Sequence, residues 1–423
     1  MNENHSYKEW IYKKRWIGER VKEALESFSV VVITGARQVG KSTFAQNEFP
    51  DFPYLSLDDY DTLQQAREDP PSLWEGRERL VIDEVQREPG LLKAIKSAVD
   101  KGRKGHKFIL TGSSNLLLMK GVSESLAGRA AYFEMLPMNL GEMEGEDPRR
   151  LVFHDLWEKE FRPEEPPARK RPPSPLPYLL RGFMPPVIFL RGQREVVLWW
   201  ESYVKTYLER DLRFLSRVTS LTDFRNVMAA LALRTGNLLN QTEVARDTRV
   251  SQPTVFRYLN LLEASNLLRR VPPYARSRTR RITKSPKAYF IDPGLSVHLS
   301  GYFDEESLAA SRELGAFFEN LVFLHLASLC ETMAPRATIH YYRTTSGKEV
   351  DFVLEWGNKL LALECKLTER PGFGDIRNLL SFLEEHPSAV RGVLLHAGRE
   401  ARALHRRVVA LPWWWLSSSR KKR

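Results

Sequence analysis

Three groups of residues in this chain have the types and spacing to do chemistry. The first is Gly35-Ala36-Arg37-Gln38-Val39-Gly40-Lys41-Ser42-Thr43, directly after the apolar run Val30 to Thr34. Its glycines allow backbone N–H groups to turn inward at a helix N-terminus, where phosphate oxygens find donors and partial positive charge. Lys41 suits the β- and γ-phosphates, and the Ser42 hydroxyl suits Mg²⁺. The stretch therefore predicts ATP and Mg²⁺ as ligands. The second group is Asp83 and Glu84, which end the apolar run Leu80 to Ile82. Asp83 would hold the Mg²⁺ shell, and Glu84 would orient and polarise an attacking water.

The third group is Asp351, Glu364 and Lys366. Between them Gly357-Asn358 predicts a two-residue hairpin turn. A turn there pairs Trp356 with Lys359 and sets Asp351 opposite Glu364. Directly opposed residues share a face, with Cβ atoms about 4.5–5.5 Å apart. Lys366 lies on the same face. Two adjacent carboxylates repel unless a cation separates them, and Mg²⁺ is the expected hard cation. Lys366 could then stabilise developing negative charge. A solvated salt bridge on a wet strand face is the competing reading. The other face, Val350, Phe352, Leu354, Leu361, Leu363, Cys365 and Leu367, is apolar and should bury against a helix.

Further residues extend the nucleotide site. "KFILTGSSN" reads as a third strand whose polar end falls at the carboxyl edge of a parallel sheet, where ligands bind. Ser113, Ser114 or Asn115 could sense the γ-phosphate or merely cap a helix. Arg129 precedes a strand, Ala130 to Met135. It could reach a neighbouring subunit's nucleotide as an arginine finger, or be a plain surface arginine.

The elements that position these groups are an α/β domain over residues 1–142 and a helical lid over 143–235. Within the lid, residues 162–177 hold seven prolines and read as an exposed polyproline-like loop. Residues 236–300 look like a helix-turn-helix followed by a basic hairpin, a winged helix. Ser251 is a fitting N-cap, with Pro253 tolerated in the first turn. Val255, Leu259 and Leu262 recur at helical spacing, leaving Gln252, Thr254, Arg257 and Tyr258 on other faces. Arg276, Arg278, Arg280, Arg281, Lys284 and Lys287 crowd the wing. Residues 236–300 hold 11 Lys/Arg against 4 Asp/Glu. Such charge favours phosphate contacts and predicts a DNA partner; protein contact is the alternative. Residues 312–416 form a second α/β unit, and 417–423 read as a disordered basic tail.

Whole-chain composition agrees. The 423 residues are 42% hydrophobic and 28% charged, with net charge +11, which leads to nucleic acid as partner. No run of 18 apolar residues occurs, so no membrane span is expected. Two distant cysteines, Cys330 and Cys365, suit a reducing cytoplasm.

The set "TGARQVGKST", "LSLDDYDTLQQAREDPPSLW", "LVIDEVQREPGLL", "ILTGSSNLLL" and "SLAGRAAYFEM" resembles a family of bacterial and archaeal AAA-type ATPases. The likeness continues through "YVKTYLERDL", "YFIDPGL" and "EVDFVLEW". Members share a C-terminal domain of unknown function. The resemblance implies an AAA+ core with an acid-ended strand between the phosphate-loop strand and its neighbour. If Arg129 acts in trans, ATP turnover would shift subunits in a ring, expected to have about six members. The spacing D-(12 residues)-E-x-K is similar to the PD-(D/E)xK nuclease fold, with Val350 where that motif has proline. That likeness adds Glu319, on the helix before the hairpin, as a further metal ligand, and the Cys365 carbonyl as another. The expected products of this architecture are remodelling or translocation of duplex or branched DNA. A Mg²⁺-dependent nuclease and a nucleotide-switched regulatory protein are the alternatives.

Overall fold

A computed structural model describes residues 12–101, 105–112, 126–158, 160–161, 163, 167, 174–206, 220–275, 277, 281 and 285–420. Ser113, Ser114, Asn115, Arg276, Arg278, Arg280, Lys284, most of the proline-rich segment and residues 421–423 lie outside them.

The first sheet is built from β1 (Val30–Thr34), β2 (Tyr54–Ser56), β3 (Arg79–Asp83), β4 (Lys107–Gly112) and β5 (Ala130–Glu134). All pairings are parallel, in the order β2-β3-β4-β1-β5. A parallel sheet needs cover on both faces, and the strands' near-continuous apolar runs supply it. Val31, Ile33, Val81 and Ile109 face one core, while Val30, Val32, Leu80, Ile82 and Leu110 face the other. The acid-ended strand β3 is not beside β1. Strand β4 lies between them, pairing Val30 with Phe108 and Leu80 with Phe108 from its two edges. The carboxyl end of β4 thus contributes a side chain between loop and acid, where the family likeness implied direct adjacency.

The middle of the chain is helical, including Leu176–Arg181, Pro185–Ile188, Gln193–Tyr203 and Leu221–Ala232. The first of these begins inside the segment expected to be a polyproline loop, with proline tolerated in its first turn. Helices Gln241–Thr248 and Gln252–Ala264 follow, joined through Arg249 in the left-handed conformation at φ 56°. The antiparallel pair β6 (Leu268–Val271) and β7 (Lys287–Phe290) closes this unit.

The second sheet has β8 (Thr338–Arg343), β9 (Glu349–Trp356), β10 (Lys359–Lys366), β11 (Ala389–His396), β12 (Arg402–His405) and β13 (Val408–Pro412). Its order is β12-β13-β11-β10-β9-β8. The hairpin closes at Gly357, φ 61°, with Lys359 opposite Trp356 and Leu363 opposite Phe352, the expected register. Helix Leu314–Thr332 covers the face carrying Phe352, Leu354, Leu361 and Leu363. The other face was expected to hold a metal site or, alternatively, to be wet, yet Val353, Leu360 and Ala362 on it are buried with Leu379 and Phe382 of helix Arg377–Glu385. Val350, expected beside Phe352, is buried with them because β9 is irregular there. Both faces are therefore dry.

Helix Leu314–Thr332 is the one described helix long and apolar enough to cross a membrane, and 78% of its 18-residue apolar stretch is buried inside the protein. It is a spine rather than a surface element. Its Ser328 accepts from Asn139 Nδ2 at 2.7 Å, and its His325 Nε2 accepts from Leu140 N at 3.2 Å. Burial pushes the His325 ring down to about 4, keeping it neutral, with Nδ1 left to donate to Leu321 O. Nearer its start, Asn320 bonds Thr235 Oγ1 at 2.6 Å and Phe290 O at 2.7 Å. One helix thus touches the unit that carries the first sheet, the β6–β7 hairpin and the second sheet.

The tail differs from expectation. Ser417, Ser418 and Ser419 are buried, Val152 N donates to Ser418 O, and Arg420 pairs with Asp155. A Cβ at Gly141 would meet Ser417 O at 2.4 Å. The bulky Trp413, Trp414 and Trp415 carry this segment into the apolar core, which a charge-based reading of "SSSRKKR" misses.

Candidate functional site

The loop after β1 is held open by backbone geometry. Gly35 has φ 154°, and a Cβ there would sit 2.2 Å from Met135 O. Gly40 has φ 91° and precedes helix Lys41–Glu48. Both need glycine. Gln38, at φ 70°, tightens the loop further. Two anchors lie outside the loop. Arg15 NH1 donates to Val39 O at 2.9 Å, and Tyr203 OH donates to Arg37 O at 3.2 Å.

At the carboxyl edge of the sheet, Asp83 gathers four donors. Ser42 Oγ donates to its Oδ2 at 2.5 Å, joined there by the Tyr54 hydroxyl. Thr111 Oγ1 and Glu84 N, the latter at 3.0 Å, donate to its Oδ1. The two acid-site residues that spacing paired, Ser42 and Asp83, are thus in direct contact. Sequence reasoning passed over Tyr54, Thr111 and Arg15. Thr111 lay within "ILTGSSN", two residues before the Ser113 to Asn115 run considered there.

Glu84 is left-handed at φ 56°, a conformation that is uncommon for a side chain bearing a Cβ. Such conformations cluster at functional sites. Burial holds its carboxyl above the usual range, opposed by Lys41. It lines a cavity of about 480 Å³ with Gly40, Lys41, Ser42 and Thr43. The cavity lining also includes the apolar Met135, Met138, Pro185, Pro186 and Phe189. A loop of amides, one lysine, a hydroxyl beside a carboxylate and these apolar residues match a nucleoside triphosphate and its hydrated divalent ion. Ser42 and Asp83 could hold Mg²⁺.

Lys41 is buried, and its Nζ donates to the Gly35 and Ala36 carbonyls at 3.0 Å each. Burial pushes its ammonium down to about 8, against the raising pull of Glu84 and Asp83. Below pH 8 it is charged and attracts phosphate. Above that, the free protein loses the proton, while bound phosphate retains it. Binding then takes up a proton, so ATP affinity should weaken by up to about tenfold per pH unit above pH 8. Calorimetric titration with a non-hydrolysable ATP analogue between about pH 7.5 and 9.5 checks this. A flat affinity across that range contradicts it.

Arg129 stands at the start of edge strand β5 and lies outside the cavity wall. It forms a bidentate pair with Asp100, at 2.5 and 3.1 Å.

The second sheet brings together Glu319, Asp351, Glu364 and Lys366. The β9–β10 ladder ends with Leu363 opposite Phe352, one step short of the predicted pair Asp351 and Glu364, where β9 is irregular against β8. There Asp351 Oδ2 accepts from Cys365 N at 2.8 Å. Glu364 Oε1 pairs with Lys366 Nζ at 2.9 Å, while its buried Oε2 has no hydrogen-bond partner. Burial raises the carboxyls of Glu319, Asp351 and Glu364, with repulsion from Asp351 adding to it at Glu319 and Glu364 and repulsion from Glu349 at Asp351. The metal expectation meets an obstacle. Lys287, assigned by sequence to a DNA-facing wing, is buried among these acids. Among the described residues, no group of three or more His, Cys, Asp or Glu is arranged to hold a metal ion.

Two other wing and helix residues are placed differently from expectation. Arg281 folds back onto the second sheet, pairing with Glu355 at 2.6 and 3.3 Å and covering the Tyr274 ring. Tyr258 is fully buried against Phe224, because its helical position falls within the apolar stripe of Val255 and Leu262. Gln252 and Arg257 are exposed and Thr254 is half-buried.

Residues 27–144 match the family model described as AAA domain. Together with the parallel sheet and its phosphate loop, this makes the chain an AAA-type, ATPase-like protein. Residues 176–306 and 314–416 match two models described as Domain of unknown function (DUF8612) and (DUF4143). The uncharacterized protein Rv2008c of Mycobacterium tuberculosis is 30% identical over 404 residues, 95% of this chain and 84% of that one. The chain belongs to the same family as that protein. The uncharacterized protein MJ1544 of Methanocaldococcus jannaschii is 24% identical over 378 residues, 84% of this chain and 78% of that one. Among solved structures, the Walker-type ATPase paby2304 of Pyrococcus abyssi aligns at TM-score 0.43 and 16% identity, covering 68% of this chain and 96% of that one.

Proposed function

We propose that the chain hydrolyses ATP and uses the cycle to grip and remodel duplex or branched DNA. The observation that carries the ATPase reading is Glu84 beside the Ser42–Asp83 contact, facing the phosphate-loop cavity. In this reading the loop amides and Lys41 bind and orient the phosphates. Ser42 and Asp83 hold Mg²⁺, which supplies charge neutralisation at the β- and γ-phosphates. Glu84 orients the water and holds its proton, and its raised carboxyl makes it a better base. Tyr54 and Thr111 position Asp83. Arg129 completes a neighbour's site in a ring of about six subunits, as arginine fingers do. Mass photometry with and without ATP tests the ring, and a monomer in both states refutes it.

Charge and shape support the DNA partner. Helix Gln252–Ala264 follows a tight turn and precedes a two-stranded hairpin, an order that suits a winged helix. Gln252 and Arg257 stand on its exposed side. The order helix Leu314–Thr332, β8, β9, β10, helix Arg377–Glu385, β11 suits a nuclease-like fold used for grip. Both cysteines are free, which suits the cytoplasm. Fluorescence anisotropy with labelled duplex over a salt series tests the partner. Neutralising Arg257, Arg278 and Arg280 together should weaken binding and lower the salt slope by about one for each phosphate left without its arginine. No affinity even at low salt would sink the reading. It would favour a nucleotide-switched regulator that docks protein on the same helix, where Phe256 is 49% exposed.

A further inference from the structure

The buried acid cluster already contains a cation. Lys287 Nζ lies 2.9 Å from Glu319 Oε1, 2.6 Å from Glu349 Oε1 and 3.8 Å from Asp351 Oδ1. The lysine is 2% exposed. It belongs to β7, the hairpin strand, and not to the sheet that carries Glu349 and Asp351. Its strand is fastened by a second contact. Tyr289, two residues on, donates its hydroxyl to Glu319 Oε1 and stacks on Phe323 with ring centroids 4.6 Å apart.

The geometry is that of an ammonium site. Mg²⁺ requires near-octahedral oxygens at about 2.0–2.1 Å and gives up its waters reluctantly. Carboxylates drawn in to that distance would leave no room for Nζ between them. Two cations in one pocket would also repel. The remaining acid, Glu364, is already paired on one oxygen with Lys366, and its free Oε2 is a single donor. Arg343, 3.6 Å from Glu349, adds further positive charge from β8.

We infer that Lys287 is the resident cation of this centre: it latches the β6–β7 hairpin onto the second sheet and excludes a divalent metal from Glu319 and Asp351. The centre then joins two units instead of cutting DNA. A buried charge pair of this kind contributes chiefly to fixing one arrangement, since desolvation offsets much of its attraction. The inference stands apart from the ATPase and DNA readings, because neither nucleotide nor DNA enters it.

The test uses the full chain and Mn²⁺ alone, followed by electron paramagnetic resonance. Wild type and Asp351→Asn should bind Mn²⁺ identically, since the phosphate-loop contribution is common to both. Lys287→Met should gain a site at least tenfold tighter, lost again in Lys287→Met/Asp351→Asn, and its Tm should rise with Mn²⁺. Should Lys287→Met not fold, the wild-type comparison decides alone. Mn²⁺ binding by wild type that Asp351→Asn abolishes would overturn the inference.

Discussion

Glu84→Gln is expected to lower ATP turnover by about 10²–10⁴-fold while leaving nucleotide binding near its wild-type strength. The amide keeps the volume of the carboxyl and can still meet Gln86, whose Nε2 now bonds Glu84 Oε2. It cannot accept a proton from water. Loop amides, Lys41 and the Ser42–Asp83 contact are untouched, so the machinery that holds phosphate stays in place. Phosphate release in steady state and binding of a fluorescent ATP analogue separate the two effects. Wild-type turnover in the variant would remove Glu84 from the chemistry. Equal loss of binding and turnover would make it a structural residue.

Arg15→Met is expected to cost about 3–5 kcal/mol, the usual range for removing one partner of a buried ion pair. Arg15 is 5% exposed. Its Nε lies 3.2 Å from Glu142 Oε1, and its NH2 donates to Leu136 O at 2.6 Å. Its loss strands Glu142, which is itself buried and also accepts from Trp16 N at 2.8 Å. It also frees Val39 O, so ATP affinity should fall with stability. Urea unfolding followed through tryptophan fluorescence measures the first effect. Arg15→Met/Glu142→Gln should recover part of the loss, because the stranded charge is gone. A variant as stable as wild type would show that the pair contributes nothing net.

The parts of this molecule legible in sequence were those set by neighbours in the chain. The loop from Gly35 to Thr43 needs only a strand before it and a helix after it, and both are local signals. The hairpin register from Lys359–Trp356 to Leu363–Phe352 followed from Gly357-Asn358, whereas the irregularity in β9 beyond Phe352 depends on its pairing with β8. What sequence missed was made by distance. Lys287 meets Glu319 across 32 positions, and nothing in "TKSPKAYF" distinguishes it from the surface lysines around it. Thr111 reaches Asp83 because β4 lies beside β3, and Tyr54 because β2 flanks β3 on its other edge. The buried tail is another case: its serines and arginine look solvated until three tryptophans carry them inward. The dry second face of the hairpin was readable, since helix Arg377–Glu385 places Leu379, Phe382 and Leu383 on one side. The two charges on that face drew the reading to solvent instead.

The most direct measurement is Mg²⁺-dependent ATP hydrolysis by the full chain, alone and with duplex or four-way junction DNA. The account predicts a basal rate that requires Glu84 and rises when DNA is added. A rate that neither Glu84→Gln nor DNA alters would contradict it.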